Sequence, residues 1–179
     1  MAAPEQPRKV ATPRLGALKG SVSNIATMAV ELSDEAATRA LAVDLARRAR
    51  EGDVIGLSGP LGSGKTTFAR AFIGAKIGAG EVPSPTFALV EVYQSLTGPA
   101  VWHFDLYRLE KPEDAHELGI EDAFAEGISL IEWPERLGTL LPEHHLGVTL
   151  VPGARETQRT AQLRVPPAWD ARLVGLRHD

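Results

Sequence analysis

Gly59-Pro60-Leu61-Gly62-Ser63-Gly64-Lys65-Thr66 is the stretch whose reading decides the fold. It fits G-x-x-x-x-G-K-[ST], a loop whose backbone N–H groups converge on nucleotide phosphates. Its flanks agree. Asp53-Val54-Ile55-Gly56-Leu57-Ser58 in front reads as a buried strand, and Thr67-Phe68-Ala69-Arg70-Ala71-Phe72-Ile73 behind reads as a helix. The glycines keep Cβ atoms out of the cradle, and the first helical turn adds unpaired N–H donors and a positive dipole end. In such a loop Lys65 reaches the β- and γ-phosphates and the Thr66 hydroxyl ligates Mg²⁺. The expected fold is α/β. It is a single P-loop NTPase domain with a mainly parallel central sheet, an antiparallel portion, and helices on both faces.

Composition bounds the rest. One compact domain is the default for 179 residues, and 44% hydrophobic content supports a sizeable core. The chain has no cysteine, which removes disulfides, thiolate catalysis and cysteine metal sites, and suits a reducing cytoplasm. Its net charge is −4, the wrong sign for a domain whose main work is gripping a nucleic-acid backbone. Any work on nucleic acid is expected to pass through a partner. No apolar run approaches transmembrane length, so no membrane partner is expected.

Outward from the loop, residues 1–24 are rich in Pro, Ala, Gly and basic residues and are expected to form a disordered tail. Residues 25–166 carry the ATPase domain, and residues 167–179 are expected to be a flexible tail. Residues 25–32 read as a first strand. Ser33 is a candidate N-cap for a helix to about Arg50, whose apolar face is Ala37, Leu41, Leu45 and Ala49. Residues 87–94 and 100–107 read as an antiparallel hairpin, and Pro112 opens a helix to about Leu118. Ile128-Ser129-Leu130-Ile131-Glu132 is a short apolar strand ending in an acid. Residues 146–151 and 160–165 read as an edge hairpin.

A phosphate loop needs a further acid near its metal ion, at the C-terminal end of a neighbouring strand. Glu132 and Asp105 both fit that position. Thr86, in the stiff Pro83-Ser84-Pro85 loop, could present a hydroxyl to the γ-phosphate or metal. Trp133 reads as a core or stacking residue, and Arg155 as an exposed loop arginine that could approach the nucleotide. His103 reads either as a base or as a packed neutral histidine. His144 and His145 do not read as a metal site.

These residues carry a resemblance. The phosphate loop, Ser84-Pro85-Thr86-Phe87, His103-Phe104-Asp105-Leu106-Tyr107-Arg108, Leu118-Gly119-Ile120 and Ile131-Glu132-Trp133-Pro134-Glu135 together resemble the TsaE family over about residues 25–152. The resemblance implies a small ATPase that supports synthesis of N6-threonylcarbamoyladenosine in tRNA. It implies ATP and Mg²⁺ as cofactors, and a TsaB–TsaD protein complex as partner, which ATP hydrolysis resets between turnovers. tRNA is then met only through that complex. By position, Gly62, Ser63, Gly64, Lys65, Thr66 and Thr67 form the phosphate loop, Thr66 and Glu132 are the Mg²⁺ ligands, and Asp105 is a second essential acid. Lys65, Asp105 and Glu132 are thus the candidate catalytic set. Glu35 and Arg155 are implied nucleotide contacts, with Thr86 and Trp133 completing the candidate set. Two rivals stand beside this reading: a small P-loop kinase, and a module in which nucleotide binding matters more than hydrolysis. A Ras-type GTPase is excluded, because the N-K-x-D motif is missing and the one asparagine, Asn24, precedes the loop.

Overall fold

The structure, a computed structural model, describes residues 25–78, 82 and 88–177. The tail expected over residues 1–24, together with Thr86 and Phe87, lies outside the described residues. Seven strands form one sheet: β1 (Ala26–Leu32), β2 (Val54–Ser58), β3 (Val90–Tyr93), β4 (Val101–Asp105), β5 (Ile128–Glu132), β6 (Leu146–Pro152) and β7 (Arg159–Val165), in the spatial order β1-β7-β6-β2-β5-β4-β3. The central strands β6, β2, β5 and β4 run parallel, whereas β1–β7, β7–β6 and β4–β3 are antiparallel. The ladders therefore divide evenly between the two senses, a more mixed sheet than the mainly parallel one expected. The parallel part is nevertheless the part that holds the phosphate loop.

Side-chain alternation sorts the sheet residues to its two faces. Ile55, Leu57, Val101, Ile128, Leu130, Val148, Leu150 and Leu163 share one apolar cluster with helices α1 (Glu35–Arg48) and α2 (Lys65–Ile77). Val54, Phe104, Leu106 and Ile131 join a second cluster with α3 (Ile120–Glu126) and the 3₁₀ segments Pro112–Leu118 and Pro134–Leu140. Helices thus lie on both faces, as expected. α2 buries Phe68, Ala69, Phe72 and Ile73, all fully shielded, against α1 and the sheet. Gly78 ends it in the left-handed conformation, φ 67°.

Three local expectations change. The N-cap of α1 is Asp34 rather than Ser33: its carboxylate accepts from the Ala37 N–H at 2.8 Å. The β6–β7 hairpin is interior rather than at an edge, because β1 pairs along the outer side of β7, Ala26 opposite Val165. The segment expected as a flexible tail instead begins with α4 (Pro167–Asp170) and a 3₁₀ turn (Ala171–Arg177). Trp169 and Leu173 there are buried in the first cluster. Arg172 forks onto Asp53 at 2.6 and 2.9 Å and stacks 4.0 Å over the Trp169 ring. The basic, proline-flanked composition hides an amphipathic turn with one large anchor.

Candidate functional site

The loop between β2 and α2 sits where parallel strands end, the edge at which open α/β sheets bind ligands. Three of its glycines have positive φ: Gly59 at 136°, Gly62 at 75° and Gly64 at 104°. At Gly59 a Cβ would stand 2.5 Å from the Leu150 carbonyl and 2.7 Å from Ser63 Oγ, so only glycine fits. Gly64 caps α2 without a side chain over the first turn, which leaves N–H donors of that turn open to an anion.

Two strand ends bring acids to the same place. β4 and β5 pair in register with Asp105 opposite Glu132, on the face that α2 covers. The Leu106 N–H donates to the Glu132 carbonyl at 3.1 Å, and the Trp133 N–H to the Leu57 carbonyl at 3.1 Å, which fixes where both strands stop. Glu132 is 2% exposed. One of its oxygens, Oε2, accepts from the Thr66 hydroxyl at 3.1 Å; the other, Oε1, meets His103 Nε2 at 3.0 Å. A hydroxyl and a carboxylate at this separation offer hard oxygen donors, the set Mg²⁺ takes together with phosphates and water. Among the described residues no three His, Cys, Asp or Glu side chains gather to cage a metal. The donor set therefore fits a cation shared with a phosphate.

Lys65 is folded onto its own loop. Its ammonium donates to the Gly59 and Pro60 carbonyls at 2.7 and 2.9 Å, and lies 3.9 Å from the centre of the Trp133 ring. Burial pushes its pKa down, against the pull of Glu132, Glu135 and Asp105. Trp133 holds φ 60°, ψ 51°, a left-handed conformation rare for a bulky residue. That turn aims its ring over Lys65 and against Tyr107, ring centres 5.0 Å apart. Backbone strain at such a position is stored where surrounding contacts hold it.

The cleft has two lobes, one on each side of the loop. One, about 310 Å³, is lined by Lys65, Thr66, Asp105, Tyr107, Glu132 and Trp133 beside the loop. The other, about 300 Å³, is lined by Glu35, Thr38, Thr67, Glu156, Thr157 and Arg159 with Gly62, Ser63 and Gly64. The structure thus gathers Glu35, the loop residues, Asp105, Glu132 and Trp133. Arg155, by contrast, is exposed and does not line either lobe. The nearby arginine at the loop is Arg159, which the sequence reading missed. Its guanidinium donates to the Ser63 carbonyl at 3.1 Å and the Gly62 carbonyl at 3.3 Å. Because the trans peptide is planar, turning the Ser63 carbonyl toward Arg159 points the Gly64 N–H in the opposite direction, away from that guanidinium. The weak sequence signal was position: Arg159 opens a strand, and only the sheet order brings that strand end to the loop. Tyr107 had a clearer one, lying in the same short motif as Asp105.

A phosphate-binding loop, a positioned lysine and an acid pair at parallel strand ends define a P-loop nucleotide-binding domain. The family model described as "Threonylcarbamoyl adenosine biosynthesis protein TsaE" matches residues 32–161. A tRNA threonylcarbamoyladenosine biosynthesis protein TsaE from Rickettsia felis is 39% identical over 120 residues, 66% of this chain and 70% of that protein. One from Haemophilus influenzae is 44% identical over 95 residues, 52% of this chain and 60% of that protein. The crystal structure of Bacillus subtilis YdiB superposes with a TM-score of 0.70 at 25% identity, covering 87% of this chain and 97% of that one. The chain belongs to the TsaE family. It is a P-loop ATPase, with that family's accessory role in tRNA threonylcarbamoyladenosine biosynthesis, and it shares the family's general capacity for nucleotide and Mg²⁺.

Proposed function

We propose that this chain hydrolyses ATP in the two-lobed cleft to act on a TsaB–TsaD complex during tRNA modification. The observation that carries the site reading is the 3.1 Å contact between Thr66 and Glu132 beneath the glycine loop, with Asp105 in register beside it. Thr66 and Glu132 would hold Mg²⁺, which supplies charge neutralisation for the phosphates. Lys65, now bonded to the Gly59 and Pro60 carbonyls under the Trp133 ring, would exchange those carbonyls for β- and γ-phosphate oxygens. The loop N–H groups bind the remaining phosphate oxygens. Asp105 orients the attacking water, accepting its hydrogen bond at the end of β4. Glu35, Thr38, Thr67 and Arg159 shape the second lobe, where the rest of the nucleotide lies.

Among the described residues no arginine lines the lobe that holds Lys65 and Glu132. Phosphoryl transfer without such a charge is slow, so the isolated chain is expected to turn over well below about one ATP per second, with the partner complex raising that rate. Phosphate release by purified chain, measured with and without TsaB–TsaD, checks this; fast turnover alone counts against it. The net charge of −4 supports tRNA contact through the complex rather than by this chain, and a chain without cysteine suits a cytoplasmic site of action. Among the described residues no helix is long and apolar enough to cross a membrane. The decisive experiment reconstitutes tRNA modification with TsaB, TsaD and the enzyme that supplies the threonylcarbamoyl adenylate. The proposal expects multiple turnovers only when this chain and ATP are present. A single-turnover yield unaffected by the chain, with later turnovers equally unaffected, overturns it.

A further inference from the structure

We propose that His103 is the positioning residue for Glu132, holding that carboxylate so that Oε2 is the oxygen offered to Thr66 and to a divalent cation. The inference rests on the reading of Glu132 as a cation ligand. Its own basis is geometric. His103 is 1% exposed and Glu132 2% exposed, and the two meet at 3.0 Å through Nε2 and Oε1. They come from different strands: His103 lies opposite Leu130 in the β4–β5 ladder, and alternation puts it on the same face as Asp105 and Glu132.

The chemistry fixes the direction of the bond. An ionised carboxylate only accepts, so the imidazole donates from Nε2 and its other nitrogen carries no proton in the neutral ring. Nδ1 is buried and has no hydrogen-bond partner among the described residues, so Glu132 alone selects this tautomer. Each Glu132 oxygen therefore has one assigned neighbour, His103 for Oε1 and Thr66 for Oε2. A glutamate has three side-chain torsions, and without the imidazole the carboxylate is free to turn Oε2 away from the loop. Residues that hold a metal ligand from behind in this way typically change metal affinity about 10–100-fold when lost.

A merely structural histidine would satisfy a buried carboxylate with no effect on metal affinity, and the experiment separates the two roles. Mn²⁺ is the probe, titrated by electron paramagnetic resonance against the full chain saturated with a non-hydrolysable ATP analogue. His103→Asn, which cannot place a donor at the Nε2 position, is expected to weaken Mn²⁺ about tenfold while metal-free nucleotide affinity stays within about twofold. His103→Gln, whose amide nitrogen reaches about as far as Nε2, is expected to recover Mn²⁺ affinity to within about threefold of the parent. Equal losses in the two variants, or no loss in either, overturn the proposal. Glu132→Gln is run alongside. If it weakens Mn²⁺ and His103→Asn does not, only the positioning role fails; if it leaves Mn²⁺ affinity unchanged, the cation-ligand reading fails and the proposal with it. Should the His103 variants not fold, ¹⁵N spectra of histidine-labelled parent protein decide: an Nε2–H tautomer at His103 supports the bond as drawn, and an Nδ1–H tautomer overturns it.

Discussion

At the scale of single residues, the site works by giving each oxygen of its buried carboxylate one neighbour. That carboxylate is Glu132, with both of its oxygens engaged. Replacing it by alanine should leave nucleotide binding in place, because the loop N–H groups and Lys65 remain. Mg²⁺-dependent hydrolysis should fall about 10²–10³-fold, the scale of losing one preorganised electrostatic contact. Steady-state phosphate release over a Mg²⁺ series checks it, and an unchanged rate removes Glu132 from the metal's surroundings. Arg159 acts differently, through the carbonyls of Gly62 and Ser63. Two hydrogen bonds from a charged donor hold these peptides, so Arg159→Met should weaken ATP about tenfold through a loosened loop. Fluorescent-nucleotide binding measures this, and hydrogen exchange at Ser63 and Gly64 should rise in parallel. The glycine loop, Lys65, Thr66 and the two acids were readable from residue type and spacing, because that chemistry tolerates few alternatives. Arg159 was not, because its role depends on which strand end the sheet brings beneath the loop. Arg155, close by in sequence, is exposed and lines neither lobe, although its neighbours Glu156 and Thr157 line the second one.

At the scale of elements, the informative one is the C-terminal segment. Its composition suggested a loose end, yet α4 and the following turn close the first apolar cluster. Trp169 is the anchor. Arg172 seals it with a charged fork onto Asp53, at the entrance to β2, and bonds the Arg48 carbonyl at 3.0 Å at the end of α1. Trp169→Ala empties a buried volume in the first cluster. It should cost about 3–5 kcal/mol. For a chain of this length that corresponds to a fall in melting temperature of about 10 °C. Differential scanning calorimetry measures it, and nucleotide binding well below the transition should be retained because the cleft lies at the other end of the strands. A shift of only a degree or two would mean the segment packs on the surface without anchoring it. Local pattern could not reveal this segment, since a helix of four residues has too little periodicity to read. The longer helices α1 and α2 were legible for the opposite reason, with several apolar turns each.

Across the whole molecule, acid sensitivity has an identifiable source beyond the carboxylates. His145 packs beneath the sheet against the Gly56 and Gly147 backbones. Burial lowers its pKa below the ordinary histidine value of 6.5, with Arg164 adding to the effect and a hydrogen bond to the Pro142 carbonyl opposing it. Above 6.5 the ring is neutral whether the chain is folded or not, and it contributes no pH dependence. As pH falls below 6.5, the unfolded chain takes up the proton first, so the folded state loses stability down to its own lower pKa. Urea midpoints between pH 7.5 and 5 should therefore fall, and His145→Gln should flatten part of that slope. An identical slope in the variant would assign the acid sensitivity elsewhere. The sheet order was only partly legible at this scale. Parallel strands around the loop follow from the motif, but no short-range signal told β1 to reach across to β7 and turn an expected edge hairpin into interior strands.

That reach has a geometric consequence. Because β1 runs antiparallel to β7, Ala26 lies beside Val165, and α4 then folds back toward Asp53, where β2 begins. Both ends of the described fold consequently leave from the floor of the molecule, while the phosphate loop forms its roof. The length of the strands therefore separates both ends of the described fold from the nucleotide cleft.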